Sequence, residues 1–123
     1  MLDEHQEFAD EILERWHETH KKSMTMLFVL VALNTQAMWS RELNDWLQKV
    51  AGVELTERGL HRVLQRMHSS GLIDMEKVQS PKSGAARKIY RITDLGCQIA
   101  AQIKESGLSY WQNQEFQQAL SEI

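Results

Sequence analysis

The chain alternates between stretches with a helical apolar period and short stretches that interrupt it. Phe8, Ile12 and Trp16 recur every four positions, with Ala9 and Leu13 beside them and acidic residues opposite. Residues 3–22 are therefore predicted to form one amphipathic helix. Acidic residues lead it and Lys21 and Lys22 close it, the order the helix dipole favours. Its single apolar stripe requires a cover, either the body of the domain or a second subunit. A denser run follows, in which Met24, Leu27, Phe28, Leu30, Val31 and Leu33 fill nearly every side of a second helix over residues 23–34. Ser23 is its expected N-cap; Val29 and Val31 would also suit a strand, but Met and Leu content and length favour helix. After a turn at residues 34–36, Ser40 caps a helix to Val50, with Leu43, Leu47 and Val50 inward, Trp46 on the flank and Gly52 closing the end. Thr56 caps a further helix to Ser69 that turns Leu60, Val63, Leu64 and Met67 inward and stops before Gly71.

The period then changes from four to two. Residues 73–78 and 87–92 alternate loosely as two strands. Between them, residues 79–86 hold the only proline, a glycine and mixed small and basic residues, so the segment is expected to be a β-hairpin with a mobile tip. Thr93 caps the last long helix, Asp94 adds charge to its first turn, and Leu95, Ile99, Ile103 and Leu108 carry its stripe. Gly107 either breaks this helix or only weakens it. A short Gln-rich amphipathic piece with Trp111, Phe116 and Leu120 ends the chain.

Composition adds limits to this pattern. With 123 residues, 42% apolar and 25% charged, the chain suits one globular domain that needs no staples. A lone Cys97 forms no internal disulfide and is expected to be buried or half-buried. The apolar run from Met24 to Leu33 is about half of a bilayer span. No small-residue cleavage site follows it, so a cytoplasmic protein with no membrane contact is expected. No metal or cofactor is expected either. The histidine pair His17 and His20 sits on an acidic helix without a nearby cysteine or an HExxH pattern. The carboxylates one turn apart on that helix have no cleft for acid–base work, so an enzyme is not expected.

The net charge of −3 hides a division along the chain. Residues 1–22 carry seven acidic and three basic side chains, whereas residues 53–91 carry eight basic and four acidic ones. Arg58, Arg62 and Arg66 are spaced four apart on the third core helix, with His61 and Gln65 beside them. Cationic and amide side chains over two turns, opposite a Leu/Val/Met face, are what a major-groove recognition helix requires. On the hairpin, Lys77, Lys82, Ser83, Arg87 and Lys88 are placed to meet phosphates or a neighbouring minor groove. Three helices followed by a hairpin, with an extra helix at each end, make a mainly α winged helix-turn-helix. The expected organisation is residues 1–22 as an amphipathic helix supporting dimerisation, 23–93 as the DNA-binding domain and 94–123 as the dimerisation helix and tail. Double-stranded DNA is the expected partner. A protein-interaction module built on the same surface is the alternative from another class, and the four tryptophans leave room for a small-molecule effector pocket.

The stretch from Leu60 through Gly71-Leu72-Ile73 to Tyr90-Arg91-Ile92-Thr93-Asp94-Leu95-Gly96 resembles the PadR family of bacterial transcriptional regulators. The matching signature is a basic residue, Arg87 or Lys88, near Tyr90, then Ile92, Thr93 and Gly96. The chain departs from the family pattern at Ser40-Arg41, where Gly-Tyr is common, and at His61 and Arg62, where Tyr and Pro are common. The resemblance covers roughly residues 24–105. It implies a homodimeric repressor-like protein whose last helix, aided by the first, forms the interface. Leu95, Ile99, Ile103, Leu108, Trp111 and Phe116 would supply that surface, with Phe8, Ile12 and Trp16 packing against it. The compact build is also similar to that of a small cyanobacterial member that lengthens the circadian period, which puts biological rhythms among the expected settings.

Overall fold

The computed structural model describes residues 3–123, so the first two residues of the expected 1–22 segment lie outside it. The elements in order are α1 (Glu4–Thr35), β1 (Met38–Trp39), α2 (Ser40–Trp46) continued by a π turn (Leu47–Ala51), and α3 (Glu57–Ser69). Then come β2 (Ile73–Gln79), β3 (Ala86–Ile92) and α4 (Asp94–Gln102) with its own π turn (Ile103–Gly107). A 3₁₀ turn (Ser109–Gln112) and α5 (Gln114–Ser121) complete the chain. The mainly helical winged helix-turn-helix expected from the pattern is the fold observed.

The first correction concerns its beginning. The two helices expected over residues 3–22 and 23–34 are one helix of 32 residues, capped by Asp3, whose carboxylate accepts from the His5 N–H. Ser23 does not cap; its hydroxyl donates back to the His20 carbonyl within the same helix. Nothing before Gly52 is proline or glycine, so no residue at the junction forces a break. The two halves differ in burial. Residues 10–20 are all exposed, whereas Thr25, Leu27, Val29, Leu30, Ala32 and Leu33 are buried.

The core gathers Leu30 and Leu33 of α1, Leu43 of α2, Leu47 of its π turn, Leu60, Leu64 and Met67 of α3, and Ile73 and Tyr90 of the sheet. Burial raises the Tyr90 phenol above its ordinary pKa, so it stays protonated at neutral pH. Val31 and Val50, expected inside, face outward at 43% and 62% exposure. Cys97, expected to be at least half-buried, is exposed, because the first turn of α4 presents Gly96 rather than Cys97 to the core.

The hairpin extends one residue further toward its tip on each strand than the alternation indicated and is joined by a third strand. The sheet order is β1-β3-β2, all antiparallel, with Met38 opposite Tyr90 and Trp39 opposite Ile89. Trp39, not Ser40, is the N-cap of α2, and its N–H donates to the Glu42 carboxylate at 3.3 Å. The expected caps at Thr56 and Thr93 are present, accepting from the Gly59 and Gly96 N–H groups at 3.0 Å each.

Thr93 also joins the helices. Its hydroxyl donates to the Gly71 carbonyl at 2.7 Å, and its N–H donates to the Leu72 carbonyl at 3.1 Å, tying the end of α3 to the start of α4. Gly96 is required beside it, because a Cβ there would run into the Leu72 carbonyl and the Ile92 side chain. Gly107 stops the long helix as the last residue of the π turn, and the chain tightens into a 3₁₀ turn beyond it. No described helix is long and apolar enough to cross a membrane.

Candidate nucleic-acid interface

α3 has a strongly divided surface. Leu60, Leu64 and Met67 are buried, and Arg58, His61, Arg62, Gln65 and Arg66 are all exposed. At 100° per residue, Arg58, Arg62 and Gln65 point straight out, while His61 and Arg66 fall on opposite flanks. The three arginines expected on one face thus fan across it. His61 and Arg58 line an open groove bounded by α2, α3 and the wing. Arg66 instead lines a cleft against Lys21 and Lys22 of α1.

The groove brings together residues that are far apart in sequence. Arg87 and Lys88 of β3 line it with Arg58 and His61, and so do Trp39, Ser40 and Arg41. Asp45 and Glu57 are its acidic members. The sequence reading missed Trp39, Ser40 and Arg41. A signal for Arg41 was available: a cation in the first turn of a helix opposes the macrodipole, so local stability does not explain it. Arg58, in the first turn of α3, carries the same signal.

The wing is arranged as a cationic blade. Strand alternation places Lys77 and Lys88 on the sheet face that carries Ile73 and Tyr90, beyond the edge of the body. They stand directly opposite each other in register, and neither makes an ion pair among the described residues. Like charges facing across strands are unfavourable unless an anion lies between them. Lys82 and Ser83 are exposed at the tip, where the Ser83 hydroxyl accepts from the Ala85 N–H. Arg87 is more constrained. Its guanidinium lies over the Trp39 ring, 4.2 Å from the centroid, and donates to the Ser80 hydroxyl at 3.4 Å. A guanidinium held this way keeps its charge and loses rotamer freedom before meeting any partner.

The residues expected at a dimer interface form two open rows. Phe8, Ile12 and Trp16 stay exposed on α1, as do Leu95, Trp111 and Phe116 at the other end of the chain, while Ile99, Ile103 and Leu108 are half-buried. Phe116 packs edge-on to Tyr110 and tilted against Trp111, so the C-terminal row is a small aromatic cluster. Among the described residues, no group of three metal-ligating side chains occurs.

Known proteins provide a frame for this geometry. The model of the transcriptional regulator PadR-like family matches residues 29–106. A PadR family transcriptional regulator from Eggerthella lenta superposes with a TM-score of 0.70 at 22% identity, over 79% of this chain and 83% of that one. A PadR-like regulator from Bacillus cereus gives 0.64 at 26% identity, over 72% and 84% of the two chains. Bacillus subtilis PadR, solved in complex with operator DNA, gives 0.58 at 15% identity, over 64% of this chain and 44% of that one. No individually curated protein matches significantly, so the likeness stands at the level of the family.

Proposed function

The chain belongs to the transcriptional regulator PadR-like family, and from that premise we propose that it is a sequence-specific, cytoplasmic DNA-binding regulator, acting as a homodimeric repressor. The observation that carries the reading is the gathering of Arg41, Arg58, His61, Arg87 and Lys88 around one open groove. The unpaired Lys77–Lys88 register supports it from the wing side. The Bacillus subtilis neighbour with operator DNA makes a duplex the natural occupant.

Arg58, Arg62 and Gln65 read base edges in the major groove, with His61 and Arg66 on the flanks. Lys77, Lys82, Ser83 and Lys88 hold phosphates, and the Trp39-braced Arg87 meets the backbone beside the groove. The open apolar rows on α1 and on the C-terminal part support a two-fold dimer, which would set two α3 helices in successive major grooves of a pseudo-palindrome. Repression follows from blocking polymerase at that site.

Mobility shifts against genomic fragments at two salt concentrations test the reading. Binding is expected to fall steeply as salt rises. Arg62→Ala should lower specific affinity by about 1–3 kcal/mol with an unchanged circular dichroism spectrum. Absence of any complex at low salt would overturn the proposal.

A further inference from the structure

Three cations gather away from the groove: Lys21 and Lys22 in the middle of α1, and Arg66 on the inner flank of α3. They meet at a half-enclosed cleft of about 520 Å³ between those two helices. Its apolar floor is Met26, Leu55, Val63, Met67 and Leu72. No carboxylate and no aromatic ring lines it among the described residues. Lys21 is paired with Glu18 at 3.5 Å, but Lys22 and Arg66 have no acidic partner among the described residues.

The cleft's other polar groups are already committed. The Thr25 hydroxyl donates to the Lys21 carbonyl and the Ser70 hydroxyl to the Arg66 carbonyl, each within its own helix. The free polar chemistry is therefore cationic and confined to the rim, above an aliphatic floor. The volume lies within the range of small-molecule sites. Two methionines give the floor the adaptability that suits a flexible chain rather than a rigid ring. The groove differs in being lined by Asp45, Glu57, Trp39 and Tyr90, and none of the four tryptophans lines the cleft.

We propose that this cleft binds a single-tailed amphiphile with one anionic head, of the medium-chain fatty acid type. The head sits between Lys22 and Arg66, and the tail lies over Met26, Val63 and Met67. A consequence rests on the function proposed above: Arg66 belongs to the polar surface of α3, so an anionic head that engages it competes with DNA for the same guanidinium. The amphiphile would then weaken DNA binding.

Decanoate, kept below its micellar concentration and titrated calorimetrically into the full chain, is the probe. Saturable binding is expected. Lys22→Gln, an exposed substitution, should weaken it at least about tenfold by removing a charge-assisted contact. Ser70→Phe, which fills the mouth, should abolish it. Decanol should bind at least about tenfold more weakly than decanoate for want of the head. Equal binding of decanoate and decanol, or unchanged binding to both variants, overturns the site. Mobility shifts with decanoate then test the consequence: the DNA complex should weaken in the parent chain and not in Lys22→Gln. Decanoate binding with an unaffected DNA complex overturns the competition. Decanoate binding by a chain that binds no DNA upholds the site and overturns the regulator reading instead.

Discussion

The two halves of α1 share one backbone and one period but have different surroundings. The outer half carries Phe8, Ile12 and Trp16 in an acidic helix that touches little of its own chain, and all three are at least half exposed. The inner half carries Leu30, which is fully buried among the core helices and the sheet. An amphipathic stripe alone does not say whether it will be covered from within the chain or from outside. The density of apolar positions distinguishes the two cases: a narrow stripe on the outer half, nearly every side on the inner half.

That contrast can be broken from either end. The largest effect is expected from Leu30→Ala, which leaves a cavity in the core and should destabilise the fold by about 2–5 kcal/mol in denaturant titrations. The paired substitution Ile12→Glu with Trp16→Glu should leave the melting temperature of the folded body nearly unchanged but shift the chain to monomer in sedimentation. A dimer that persisted would show that the outer stripe is not the interface. The smallest effect is expected from Ser23→Ala, under about 0.5 kcal/mol, because Ser23 lies inside a helix. A cost near 1 kcal/mol is what loss of a true N-cap would give.

Much of the architecture was legible where a local rule has one outcome. Thr56 and Thr93 each stand before an apolar period and cap as expected, and the change of period marked the hairpin. Other features were hidden for physical reasons. Ser23 before an apolar run looks the same whether the helix starts there or passes through, since its hydroxyl can bond either an N–H ahead or a carbonyl behind. β1 is two residues long, too short to alternate, and exists only because β3 pairs with it. The cationic surface was recognised from charge and helical spacing, but its division between the groove and the α1 cleft depends on which helix packs beside each flank of α3. Arg41 and Trp39 join the groove through tertiary placement, although the charge in the first turn of α2 was visible in advance.

The unbroken course of α1 makes the outer stripe and the core parts of one rotational phase. Each residue turns a helix by about 100° and advances it by about 1.5 Å. Adding or removing a single residue near Ser23 would leave the body folded and the stripe intact, yet swing one relative to the other by more than a quarter turn. A helix that joins two surfaces without a hinge thus stores their relative bearing in its residue count. Two copies joined through the outer half would inherit a fixed angle between their α3 helices, set by the number of residues between Trp16 and Leu30.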